Sequence, residues 1–260
     1  MSEPILQSRL PYAPWMEPRT WRLPGIVPAE PGSWLSVDDA FAGQMAERDR
    51  LIAERPDAVV GMLERARPAA EELLELVLEK LRSVPGYEVG AAVVTRPDDV
   101  TVPLDRAAPM RVLGRLVQED LCLLIQEGAE AVLVAAALCF PASWTLAEKL
   151  GRPMVRIHEP VTHYTEDVAK RVQRLFDAIR PEQPLQRWNA LVYDDPELHQ
   201  PRLEGQRRPR PVRRDYLRSE RQVLVRLPQT RAVLFSIHTH VVEIARLDEA
   251  ARDGLAVAGI

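Results

Sequence analysis

Apolar residues recur at Ala70, Leu73, Leu74, Val77, Leu78 and Leu81, the rhythm of one helix face, and predict a helix over 69–82 that Pro85 and Gly86 stop. An earlier helix is predicted to open at Ser36, which with Asp39 resembles a capping box, and to run to about Glu54. Between Tyr87 and Met110 the periodicity breaks around three prolines, as a loop would read. Dense apolar runs follow from Arg115 to Gln126 and from Ala131 to Phe140, either side of Glu127-Gly128. They read as a hairpin, although Ala135 to Ala137 would also suit a helix.

The pattern then predicts a short helix at about Thr145 to Leu150, ended by Gly151. Thr165 can cap a longer one, with Glu166 and Asp167 in its first turn and a stripe of Val168, Val172, Leu175, Phe176 and Ile179, closed by Pro181. Strands follow at about Arg187 to Tyr193, Arg221 to Arg226 and Ala232 to Ile244. Two strands, short helices, one longer helix and three strands predict an α+β fold of PAS type: a five-stranded antiparallel sheet with helices on one face and a ligand pocket between them.

Residues 1 to about 35 carry Pro11, Pro14, Pro18, Pro24, Pro28 and Pro31 with Trp15, Trp21 and Trp34. Such a segment cannot form a long helix but can lie extended on a surface, each Trp burying a large face. The expected organisation is an N-terminal arm and helical extension over 1–110, the PAS-like domain over 111–246 and a tail over 247–260.

At 260 residues, 46% hydrophobic and 28% charged, the chain can bury a substantial core, and its net charge of -4 argues against general affinity for nucleic acid or anionic membrane. No apolar run approaches about 20 residues and the N-terminus lacks a signal-peptide core, so a cytoplasmic protein is expected. Cys122 and Cys139 sit in hydrophobic runs, as buried thiols do, and two cysteines cannot hold an iron-sulfur cluster that needs four. Nearly all positive charge is arginine, a bias of GC-rich bacterial genomes, with Lys80, Lys149 and Lys170 the only lysines. The arginine-rich run from Arg202 to Arg214, broken by Pro209 and Pro211, reads as a solvated loop or a docking surface for an acidic electron-transfer partner.

The candidate chemistry starts at Ile157-His158-Glu159-Pro160-Val161, where Pro153 and Pro160 restrict the backbone around His158 and favour a fixed imidazole. His163, five residues on, competes as a ligand. Cys139 lacks a positive neighbour in its apolar run and reads as packing rather than a thiolate ligand. His238 and His240 alternate on the last strand and face one side, like a two-histidine metal pair, but no third ligand lies nearby in sequence, so a non-haem metal is not expected there.

Several segments, taken together, resemble the haem-dependent oxidative N-demethylase alpha-subunit family. They are WLSVDDAF (34–41), VQEDLCLL (117–124), CFPASW (139–144), IHEPV (157–161), RWN (187–189) and LRSERQVLVRLPQTRAVLFSIHTH (217–240), in the family's order over about residues 10 to 245. The resemblance implies a PAS-like enzyme that uses haem b to activate dioxygen, the characterised activity being oxidation of dimethylamine to methylamine and formaldehyde. Electrons would come from NADPH through separate flavin (FMN) and iron-sulfur subunits, in keeping with the absence here of a Gly-rich dinucleotide loop and a cysteine cluster.

On that resemblance His158 is the expected iron ligand, Arg187 the donor to bound dioxygen with Asn189 on its face, and Arg218 and Arg221 the partners of the haem propionates. Glu159, Glu119 and Glu220 are candidates for holding an amine as its ammonium ion, with Glu159 placed among the catalytic residues. Where the family pattern has Arg and Tyr this chain has His238 and His240, which points to a substrate other than dimethylamine. The expected function is a haem monooxygenase component acting on a small amine or related metabolite, with a reductase subunit as partner, no nucleic acid or membrane, and a homodimer left open. The alternatives are a haem-binding gas sensor and a non-catalytic binding module.

Overall fold

The computed structural model describes residues 3–128, 130–158, 176 and 178–260. Strands are numbered β1 (Val27–Pro28), β2 (Val60–Met62), β3 (Glu88–Val89), β4 (Val93–Thr95), β5 (Thr101–Pro103), β6 (Asp120–Glu127), β7 (Glu130–Ala137), β8 (Leu185–Tyr193), β9 (Tyr216–Arg226) and β10 (Val233–Glu243). Helices are α1 (Pro18–Trp21), α2 (Phe41–Glu54), α3 (Pro56–Val59), α4 (Arg67–Leu81), α5 (Pro109–Leu116), α6 (Leu146–Lys149), α7 (Met154–His158) and α8 (Glu249–Val257).

The main sheet runs β1-β8-β9-β10-β6-β7-β2, every neighbour antiparallel. The five strands read from the apolar pattern are adjacent in it. The expectation of a five-stranded sheet is nevertheless corrected: among the described residues seven strands pair, because β1 of the N-terminal arm adds to β8 and β2 adds to β7.

Helices on one face only is a second correction, and side-chain alternation shows why. Leu121, Leu123, Val134 and Leu234 point to the face covered by α4 and α5, whereas Cys122, Leu124, Leu133 and Phe235 point to the opposite face, where Leu146, Met154, Ile157 and Phe176 pack. Pro109 opens α5 in the segment expected to be loop and strand, and Val112, Leu113 and Leu116 give it an apolar face to bury on the sheet. The region from Tyr87 to Met110 also holds a small sheet, β3-β4-β5.

The helix expected from Ser36 begins at Phe41 with no side-chain cap. The capping groups are used elsewhere: the Ser36 amide donates to Glu119 at 2.7 Å and Asp39 accepts from the Ser8 amide at 2.8 Å. In the N-terminal arm, the Trp15 indole donates to the Ala251 carbonyl of α8 at 2.8 Å. No described helix is long and apolar enough to cross a membrane. The Thr165-capped helix lies outside the described residues apart from its end, where Phe176 and Ile179 are buried.

Candidate functional site: two cavities on one sheet

Among the described residues, two large cavities flank the strands β8, β9 and β10, one on each face. Alternation decides which residue serves which. Arg187 and Asn189 of β8, Glu220 and Gln222 of β9, and Phe235 and Ile237 of β10 line the first cavity, of about 850 Å³. Trp188, Arg221, His238 and His240 line the second, of about 1090 Å³, together with Tyr12 and Asp38.

The first cavity has an apolar floor of Leu124, Leu133, Leu224 and Phe235 and a far wall made by α6, α7 and residues 202–207. Its size falls in the roughly 300–1,000 Å³ range of ligand sites, and a broad apolar floor with a few fixed polar groups suits a large planar ligand. Asn189 and Glu220 stand opposite each other across β8 and β9: Asn189 Nδ2 donates to Glu220 Oε2 at 2.8 Å and the Glu220 amide donates to Asn189 Oδ1 at 3.0 Å. Arg187 is different. Its Nε is buried with no hydrogen-bond partner among the described residues, and burial lowers the guanidinium's affinity for its proton despite Glu220 nearby. Arg202 Nε is orphaned in the same way. Two unpartnered guanidinium donors in one cavity fit an anionic or oxygen-bearing ligand.

Lys149 and Glu204 close the rim. Lys149 donates to the Ile157 carbonyl at 2.8 Å and to Glu204 at 3.1 Å, and Arg156 holds both Glu204 oxygens at 2.9 Å. Hydrogen bonds from Arg156 and Lys149 hold the Glu204 carboxyl down at about 2. The sequence reading missed both residues, although Lys149 had one signal in being a rare lysine among arginines.

His158 ends α7, whose Met154 and Ile157 line the first cavity. Glu159 and His163 lie outside the described residues. Arg218 and Arg221 are not brought together: they sit on opposite faces of β9. Arg218 is buried and engaged with the Leu198 carbonyl at 2.8 Å, the Phe140 carbonyl and Glu220, while Arg221 faces the second cavity and holds Ser33 and Gln186. Arg202 and Arg207, from the run read as a solvated loop, line the first cavity instead. Elsewhere in that loop Arg208 lies over the Tyr193 ring and donates to the Val192 carbonyl. Cys139 is fully buried, its thiol pushed up to about 12 by burial, which Arg48 only partly offsets, so it packs as a neutral group.

The profile of the haem-dependent oxidative N-demethylase, alpha subunit-like family matches residues 25–259. The chain belongs to that family. The family's description is that of a subunit of an oxidative enzyme, which implies partner chains, and it names haem as the group on which such enzymes depend. The match takes in the whole lining of the first cavity and the strands β1 to β10, whereas part of the second cavity's lining, Tyr12 included, lies before residue 25.

In the second cavity, the third partner that the sequence did not reveal for His238 and His240 is Asp38, 200 residues away in the chain, whose Oδ2 lies 3.0 Å from His238 Nε2. His238 Nδ1 lies 2.8 Å from Glu119 Oε1. Burial disfavours charge on this imidazole, but hydrogen bonds that it donates to Asp38 and Glu119 outweigh it and raise its pKa to about 9. His240 moves the other way, to about 3, through burial and then the charge of His238. Of the candidates for an ammonium ion, Glu119 is thus on the opposite face from Glu220 and already holds Ser36 and His238.

Proposed function

We propose that this chain is the haem-binding, oxygen-activating component of a multi-subunit enzyme that oxidises a small amine or related metabolite, and that haem b occupies the first cavity. One observation supports this above all: an apolar cavity of about 850 Å³ into which Arg187 presents a buried Nε with no partner among the described residues. A haem bound there supplies the redox chemistry with dioxygen; the residues of the chain supply position, charge and exclusion of water.

His158, at the end of the helix that walls the cavity, is the residue that would hold the haem iron. Arg202 and Arg207, which line the cavity, would take the role expected of Arg218 and Arg221 in pairing with the propionates. Arg187 donates into the cavity, and its place on β8, paired with Gln222 of β9, keeps that donor fixed before substrate arrives. Glu220, held by Asn189 and by Gln222 at 3.0 Å, carries the negative charge that an ammonium substrate needs. Electrons reach the site from a separate flavin and iron-sulfur reductase fed by NADPH.

The test is turnover with partners supplied. The purified chain with NADPH alone should be inert. With a reductase system and oxygen it should oxidise a secondary or tertiary amine and release an aldehyde or a hydroxylated product. Stable oxygen binding with no amine-induced spectral change and no consumption of reducing equivalents would instead make the chain a gas-binding module.

A further inference from the structure

The second cavity carries chemistry that the haem site does not use. His238 and His240, 3% and 5% exposed, project from one face of β10 with ring centroids 4.6 Å apart. Asp38 reaches them from the segment before α2, and one ligand atom from each of the three lies within 4.8 Å of the others. Each member is held by a neighbour. Asp38 Oδ1 accepts from Gln118 Nε2 at 2.8 Å and from the Ala40 amide at 3.0 Å, and Gln7 Nε2 donates to Oδ2 at 2.9 Å. The His238 ring is oriented by Glu119 on Nδ1, and His240 stacks on Trp188 with ring centroids 5.6 Å apart.

One atom of this cluster has no account in the protein alone. His240 Nδ1 is buried and has no hydrogen-bond partner among the described residues; behind His238, Glu119 Oε2 is likewise without one. Buried polar atoms are rarely left so. Two imidazoles and one carboxylate are a ligand set suited to zinc or ferrous iron, and an imidazole whose second nitrogen is held by a carboxylate is how metal-binding histidines are oriented. Asp38 and Glu119 together supply two negative charges, which match a divalent cation.

We propose that Asp38, His238 and His240 bind a divalent first-row transition cation on the sheet face opposite the haem cavity, with Glu119 orienting His238 from behind. Positions that the three side chains leave free open onto the second cavity, where Arg221 and Tyr12 border the space for water or a small anionic ligand. The site is independent of the haem reading, and its failure would leave that reading untouched.

The test titrates the full-length, chelator-treated protein with Zn²⁺ by calorimetry and with Co²⁺ by visible difference absorption. The expected result is one equivalent bound per chain, cobalt bands characteristic of nitrogen and oxygen ligation, and affinity at least tenfold weaker in both His240→Ala and Asp38→Asn. Zn²⁺ should also raise the wild-type melting temperature in a concentration-dependent way. Absence of stoichiometric binding and of that thermal shift in wild type overturns the proposal whether or not the variants fold, and so does unchanged affinity in folded variants.

Discussion

Asn189 and Glu220 are locked together from both directions across neighbouring strands, side-chain amide to carboxylate at 2.8 Å and backbone amide to side-chain carbonyl at 3.0 Å. The pair fixes a carboxylate at the polar edge of an otherwise apolar floor. Asn189→Leu leaves a buried Glu220 oxygen without its shortest partner and should destabilise the cofactor-free protein by about 1–3 kcal/mol. Urea unfolding monitored by tryptophan fluorescence measures this, and a loss below about 0.5 kcal/mol would show that the pair does not hold the carboxylate.

Arg187 Nε is buried with no hydrogen-bond partner among the described residues. A guanidinium with an unsatisfied buried nitrogen contributes little to folding, so Arg187→Leu should leave the melting temperature of the cofactor-free protein unchanged or raised. The same variant should bind haem at the wild-type stoichiometry yet lose tenfold or more in amine oxidation, the effect of removing one charge-assisted hydrogen bond of roughly 1.5–3 kcal/mol. A melting temperature several degrees lower with turnover intact would assign Arg187 to packing.

The rim of the first cavity responds to acid. The folded-state pKa of Glu204 is depressed from 4.5 to about 2 by Arg156 and Lys149, so its contribution to stability is complete above pH 4.5 and is lost as pH falls through about 2. The pair is exposed and its effect is small. The difference in melting temperature between wild type and Glu204→Gln should be present at pH 6 and shrink steadily below pH 4.5; a difference that does not change over this window contradicts the assignment.

Behind the cavity, Arg48 and Asp120 form an ion pair at 2.7 Å with side chains 0% and 1% exposed, and the Asp120 carboxylate also accepts from the Cys139 and Phe140 amides at 2.7 and 2.9 Å. Asp120 therefore steers the chain from β7 into the segment that carries Ser143 and Trp144 to the cavity wall. Asp120→Ala strands a buried cation and should cost about 3–5 kcal/mol in denaturant unfolding. The double variant Arg48→Met, Asp120→Leu should recover much of that loss.

The strands of the sheet and helix α4 were legible because their apolar rhythm is strong and local. Helix α5 was not: Pro109 to Leu116 is short, and its helical start shows only in Pro109 and in an apolar face that α4 and the sheet complete. The two short edge strands carry too few residues for any pattern. At the site, alternation along β8 correctly put Arg187 and Asn189 on one face, but the same rule applied to Arg218 and Arg221 separates them, and the loop arginines 202 and 207 line the first cavity instead. The Asp38 partner of His238 could not be read at all, since β10 meets the segment before α2 only through the folded topology.

The most direct measurement of the central claim is a haem titration of the cofactor-free protein followed by visible absorption, run on wild type and on Leu133→Trp, which fills the floor of the first cavity without touching a polar group. One haem per wild-type chain with a histidine-ligated spectrum, and binding at least tenfold weaker in a folded Leu133→Trp, is the predicted result. Absence of stoichiometric haem in wild type, or unaltered haem binding in the filled variant, would contradict a haem enzyme built on this cavity.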